Sequence, residues 1–194
     1  RRTGGGRARP PGRPGDDAAA GAVKRDNPAT MTQPKPAAGP RAGFRPVAVG
    51  GEFLRTVGPL WGRWDGTHLR LGFRVEERHA NVARACHGGM LATFADMQMA
   101  AATHYQWPEI AGHSFPTISL ATDFVAAVPM GAWVEGAAEV IRATRSLVFI
   151  QGTAAVDGAT VLRFSGVYKI GPKRDYADPR DPFGLMSAPG AGRN

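Results

Sequence analysis

The chain has 194 residues, 43% of them hydrophobic, which suits one domain with tails. Its net charge of +8 suggests a nucleic-acid partner until it is located: residues 1–45 carry 10 Lys+Arg against 3 Asp+Glu, and the remainder 14 against 13. The charge belongs to a tail and not to a basic binding face, so nucleic acid is not the expected partner.

Residues 1–45 are mostly Arg, Gly, Pro and Ala, too poor in large apolar side chains to build a core, and are expected to form a disordered basic tail. From Glu52 to Trp61, Phe53, Leu54, Val57, Leu60 and Trp61 form one apolar stripe of a short helix, whose regular part ends at Gly58-Pro59. Asp65-Gly66 marks a turn. His68 to Val75 alternates as a half-exposed strand, with Leu69, Leu71, Phe73 and Val75 inward.

The stretch Asn81 to Tyr105, NVARACHGGMLATFADMQMAAATHY, is the centre of the chain. Gly88 to about Tyr105 is rich in Ala, Leu and Met and reads as a helix apolar on nearly every face, hence buried. Between Arg84 and Glu109, histidines aside, the only ionisable carboxylate or basic group is Asp96. Its helical neighbours Ala92, Thr93, Met99 and Ala100 include no cation, so something outside the helix must justify it. Gly88 and Gly89 stand where the first turn begins. The first amides of a helix lack internal partners, and glycine lets a ligand atom approach them, which makes a candidate oxyanion site.

After the helix, Thr117 to Val125 alternates, with Ile118, Leu120 and Phe124 on one face and Thr117, Ser119, Ala121 and Asp123 on the other. Ala132 to Ile141 is a strand. Thr144-Arg145-Ser146 turns the chain into the mostly apolar Leu147–Val156, and Asp157-Gly158 signals a two-residue hairpin. Thr160 to Ile170 follows, with Leu162, Phe164, Tyr168 and Ile170 on one face. Residues 172–194 read as a second disordered tail, with Phe183 to Met186 its one apolar cluster. One long helix followed by successive antiparallel strands is an α+β pattern.

Other chemistries find little support. The histidines show no paired metal-ligand spacing, so no metal is expected. Cys86 is single, which excludes an internal disulfide, fits a reducing compartment such as the cytoplasm, and reads as a packing residue. GxGxxG and Gly-x-Ser-x-Gly are absent. No apolar run reaches the roughly 18 residues of a membrane span.

Asn81, His87-Gly88-Gly89 six residues on, and Asp96 nine after the histidine resemble the active-site signature of hotdog-fold acyl-CoA thioesterases of the PaaI-like, phenylacetate-pathway type. The resemblance covers about residues 46–171 and implies the hotdog fold, an antiparallel sheet wrapped round one long central helix. It implies hydrolysis of an acyl-CoA, with aryl and medium-chain acyl groups both compatible with Met90, Phe94, Met97 and Trp107, and no cofactor. By this resemblance Gly88 donates to the carbonyl oxygen, Asp96 is base or nucleophile, and Asn81 orients water or the carbonyl. His87 fixes the loop and polarises the substrate. Thr117 holds the water, with Ser114 and Ser119 as alternatives. Gly89 and the turn of Arg142, Thr144, Arg145 and Ser146 meet the CoA moiety, arginine being suited to phosphate. The site forms between two subunits of a homodimer or homotetramer. A hotdog hydratase or dehydratase and a non-catalytic acyl-CoA sensor are the alternatives. The first lacks its Asp-x4-His spacing here, and the second would have no need of Asp96.

Overall fold

The central helix, α2 (Gly88–Gln106), forms over the Ala/Leu/Met run as expected. The computed structural model describes residues 39–47 and 51–186, so most of the expected basic tail and residues 187–194 lie outside the described part. Around α2 lie β1 (Arg45–Val47), α1 (Glu52–Val57), β2 (Leu60–Trp64), β3 (Leu69–Arg74), β4 (Thr117–Phe124), β5 (Trp133–Ala143), β6 (Leu147–Val156) and β7 (Ala159–Lys169). The strands make one antiparallel sheet of order β1-β2-β3-β5-β6-β7-β4. α2 touches every strand from β3 to β7. Phe94, Ala95, Met99 and Ala102 are fully buried against Leu69, Leu71, Phe73, Val134, Ile150, Leu162 and Tyr168.

Two glutamines of α2 stitch helix to sheet. Gln98, fully buried, accepts from Leu71 N at 2.7 Å and donates to Leu69 O at 2.9 Å. Gln106 donates to Ala138 O at 2.6 Å and accepts from Val140 N at 2.9 Å. Each supplies a donor and an acceptor to strand backbone that would otherwise be buried unpaired.

Four expectations need correction. α1 ends at Val57 with Gly58 as its cap, as Gly58-Pro59 leads one to expect, but Leu60 and Trp61 leave the helical stripe and begin β2. The folded part begins before residue 46, since Phe44 is buried and Arg41 pairs with Asp157 in the β6–β7 turn. The segment after residue 171 packs back as coil: Asp181 accepts from Tyr105 Oη at 2.6 Å and from the amides of Leu185 and Met186, and Leu185 enters the core beside Gly62. Finally, α2 is not covered all round. Gly89 is exposed and Ala92, Thr93, Asp96, Met97 and Ala100 are half-exposed, a stripe at i, i+3 and i+4 spacing that the sheet leaves open.

The strand after the helix, β4, does not pair with its successor β5; it returns to the far edge against β7. There Ile118, Leu120, Phe124 and Val125 are exposed. The Asp157-Gly158 turn has φ of 49° and 85°, both left-handed as its dipeptide requires.

Candidate active site

The loop before α2 is held by its own polar groups. Asn81 Oδ1 accepts from the amides of Ala83 at 2.9 Å and Ala85 at 3.1 Å, an Asx-type turn that lets Arg84 adopt φ of 58°. The Asn81 oxygen is thus engaged by its own loop, and its amide nitrogen makes no hydrogen bond among the described residues. Arg84 is tied to Glu77 by two contacts of 3.0 Å. His79 is buried and satisfied at both ring nitrogens, by Glu76 N at 3.0 Å and Val57 O at 2.8 Å, and burial lowers its pKa. Its carbonyl accepts from His87 N at 2.7 Å, which fixes the His-Gly-Gly entrance. Cys86 is buried, and burial pushes its thiol up to about 12, so it remains a protonated packing residue.

His87 caps α2, its Nδ1 accepting from Gly89 N at 2.9 Å. In the neutral ring the proton then sits on Nε2, leaving a donor on this exposed residue. The Gly89 amide is thus taken by the cap. The Gly88 amide has no acceptor among the described residues. It is the unsatisfied first amide of a 19-residue helix, at the positive end of the dipole. A Cβ at Gly88 would meet the Phe124 ring at 3.3 Å, so glycine keeps the approach open beneath that ring.

Asp96 lies two turns further on. Thr117 Oγ1 donates to its Oδ1 at 2.7 Å and Tyr168 Oη to the same oxygen at 2.9 Å. Oδ2 has no donor and the carboxylate no cation partner among the described residues. Sequence alternation puts Thr117 on the face of Ser119, Ala121 and Asp123. A bulge between Thr117 and Ser119 inserts Ile118 and turns Thr117 to the helix side, opposite Tyr168. Of the alternatives, Ser114 bonds Pro172 O at 3.1 Å, and Ser119 pairs with Val167 beyond the bulge. Tyr168 was legible from the sequence only as an inward strand residue. Its signal is a hydroxyl on the core face, which must find a partner.

The turn joining β5 and β6 is closed by Thr144, whose Oγ1 accepts from Leu147 N at 3.0 Å. Ser146 O accepts from Ile170 N at 2.8 Å. Arg142 and Arg145 are exposed and have no carboxylate partner within 4.0 Å among the described residues. Register puts this turn just past the row Val148–Tyr168–Thr117, at the same end of the sheet as Asp96. Met90 and Phe94, expected to line an acyl pocket, are core residues, while Met97 lies on the open stripe. A groove of about 580 Å³ lined by Arg70, Asp123, Glu139, Gln151 and Arg163 contains none of the residues of this site. No described helix is long and apolar enough to cross a membrane.

Residues 84–160 match the family model described as Thioesterase superfamily, a span that contains His87, Gly88, Asp96 and Thr117 but neither Asn81 nor Tyr168. The chain is 26% identical over 129 residues, 66% of its length, to 95% of PA0474, a candidate esterase of Pseudomonas aeruginosa. Among solved structures it resembles zebra fish thioesterase superfamily member 2, with 22% identity, a TM-score of 0.57, and coverage of 64% of this chain and 90% of that one. It also resembles a variant of the phenylacetic acid degradation protein PaaI of Thermus thermophilus, with 22% identity, a TM-score of 0.53, and coverage of 61% and 98%. The BH2602 protein of Bacillus halodurans, solved with CoA, gives 21% identity, a TM-score of 0.51, and coverage of 58% and 73%. The antiparallel sheet on one long helix is the hotdog fold of these thioesterase structures, and the free amide and carboxylate of α2 both lie inside the span that matches the Thioesterase superfamily model.

Proposed function

We propose that the protein hydrolyses an aryl- or medium-chain acyl-CoA to the free acid and CoA, at a site completed by a second copy of the chain. The observation that carries this reading is the pair of groups on α2 that are unsatisfied among the described residues, the Gly88 N–H and the Asp96 Oδ2. Eight residues of helix put them about 12 Å apart. One thioester carbonyl cannot meet both in a single chain, but it can meet the amide of one copy and the carboxylate of another. The uncovered stripe of α2 and the exposed apolar edge strand β4 are surfaces such a copy would cover, and a bare edge strand with apolar side chains is otherwise a liability.

In this site the carbonyl oxygen accepts from Gly88 N–H, which stabilises the charge that develops as the carbon becomes tetrahedral. Asp96 Oδ2 takes a proton from water, whose oxygen bonds to the carbonyl carbon. The intermediate collapses, the C–S bond breaks, and the proton passes to the departing CoA thiolate. In the covalent variant Oδ2 itself attacks and water later cleaves the anhydride. Rapid quench in a single turnover separates them, because only the covalent route releases CoA thiol ahead of free acid and leaves the acyl group on Asp96. Thr117 would share in holding the water, and His87 Nε2–H would donate at the entrance. Arg142 and Arg145, exposed at the turn near Asp96 and without a carboxylate partner among the described residues, are suited to the CoA phosphates. The CoA-bound relative of the same fold supports this class of ligand.

The test is a panel of acyl-CoAs, aryl, short, medium and long, with the released thiol followed by colour. Turnover is expected with aryl or medium-chain substrates. No thiol release from any member would sink the proposal.

A further inference from the structure

Tyr168 lies on β7 with its side chain wholly out of solvent. Its hydroxyl finds two acceptors on one residue, Asp96 Oδ1 at 2.9 Å and the Asp96 main-chain oxygen at 3.1 Å. A single phenolic proton shared by a carboxylate and its own backbone carbonyl resists rotation about the Asp96 side-chain bonds, because rotation breaks that bridge. Thr117 donates to the same Oδ1 at 2.7 Å. Among the described residues, two donors on one oxygen and none on the other make the carboxylate asymmetric. Burial, then the adjacent Asp96 charge, hold the phenol well above the usual tyrosine range, so it remains a donor.

We propose that Tyr168 is a positioning residue for thioester hydrolysis: it anchors Asp96 through Oδ1 and the main chain so that Oδ2 is the oxygen presented to the reacting centre. The inference rests on the reading of Asp96 given above. It also assigns the two strand donors different tasks. Thr117, on the exposed edge strand, is within reach of water and substrate. Tyr168, in the core and closed to solvent, reaches Asp96 and the Thr117 hydroxyl beside it.

Tyr168→Phe removes the hydroxyl and keeps the ring. The expected result is a fall in kcat of about 10- to 100-fold with KM for acyl-CoA within about twofold, the pattern of a misplaced reacting group. In the Asp96→Asn background the same substitution should cost nothing further, since the two residues act as a unit. The carboxyl (13)C resonance of Asp96, identified by its absence in Asp96→Asn, should move in Tyr168→Phe. Tyr168→3-fluorotyrosine, which keeps the hydroxyl, should retain kcat and provides a second variant if the phenylalanine protein does not fold. An unchanged kcat, an equal further loss in the Asp96→Asn background, or an unmoved resonance would overturn the assignment. A wild type inactive on every acyl-CoA would instead sink the functional reading, and the resonance would still report whether Tyr168 holds Asp96.

Discussion

Gly88→Pro is the sharpest probe of the oxyanion site, because it deletes one N–H and little else. Proline is favoured at the first helical position, where its missing N–H would have no intrahelical partner. The residue before it must be extended, and His87 already has φ −65° and ψ 137°. No hydrogen bond is lost within the protein, since the Gly88 amide has no acceptor among the described residues. The new ring would press on Phe124, whose ring is 3.3 Å from the Cβ position, but that side chain is 53% exposed and can yield. Replacing glycine also restricts the unfolded chain, an offset of about 0.4–1 kcal/mol. Folding should therefore be nearly unchanged while kcat falls about 10²- to 10³-fold, the usual cost of one oxyanion donor. Gly88→Ala, which keeps the N–H but adds the same contact with Phe124, should lose far less. Activity is measured by thiol release and folding by thermal melt. If Gly88→Pro keeps kcat within tenfold of wild type, or if Gly88→Ala falls equally far, the amide is not the donor. Mixing extends the test: refolding Gly88→Pro and Asp96→Asn chains together should restore about a quarter of wild-type activity, since half the dimers pair randomly as hybrids and each hybrid holds one intact site of two. Recovery no greater than that of the parents would refute the shared site.

Asp96→Asn should fold normally and lose about 10²- to 10⁴-fold in kcat, the range of general-base catalysis; retention of more than about a tenth removes Asp96 from the chemistry. Arg145→Ala should raise KM for acyl-CoA far more than for a short thioester lacking the nucleotide, and added salt should shrink the difference, because an exposed Arg–phosphate pair is screened. Equal KM changes for the two substrates would make Arg145 a solvated hairpin charge. His104 is buried among Phe115, Tyr176 and Phe183, and its Nδ1 accepts from Gly112 N at 3.1 Å; burial first, then the charge of His113, pushes its pKa down to about 4 from 6.5. The unfolded state binds the extra proton in that window, so stability is full above about 6.5 and is lost as pH falls toward 4, by at most about 3 kcal/mol. Urea midpoints at several pH values should show this slope and should flatten in His104→Asn, whose oxygen can accept the Gly112 amide; an identical slope would exclude His104 as its origin.

The parts of this fold that the sequence declares are those decided within a few residues. Gly88, the Ala/Met run and Trp107 bound α2 to within a residue or two, and Asp157-Gly158 states its own turn. The alternation that sends Leu162, Phe164 and Tyr168 inward also survives in β7. What the sequence does not declare depends on partners far along the chain. Leu60 and Trp61 continue a helical stripe until β3 and β1 claim them as strand β2. Alternation in β4 is two-faced, so it cannot say that the strand crosses to β7 or that a bulge turns Thr117 toward Asp96. Asn81 carries the right spacing for a catalytic amide, yet its oxygen goes to two loop amides that no motif reveals. Tyr168 stands 72 residues from the carboxylate it holds.

In the proposed dimer, the spacing on α2 also limits how the two copies would meet. A twofold axis that brings Gly88 of one chain to Asp96 of its copy brings the second such pair together as well. That axis must pass near the midpoint of the two groups, which on the helix is Ala92. Ala92 lies on the uncovered stripe, with Gly89, Thr93 and Met97 beside it. A methyl side chain at that point allows close approach of the two helices, whose axes can come no nearer than the side chains between them permit. The same axis leaves the carboxylate backed by its own Thr117 and Tyr168 while the amide arrives from across the interface. In that arrangement the proposed base and oxyanion donor are each held by one chain, and the contact at Ala92 would set their separation across the thioester.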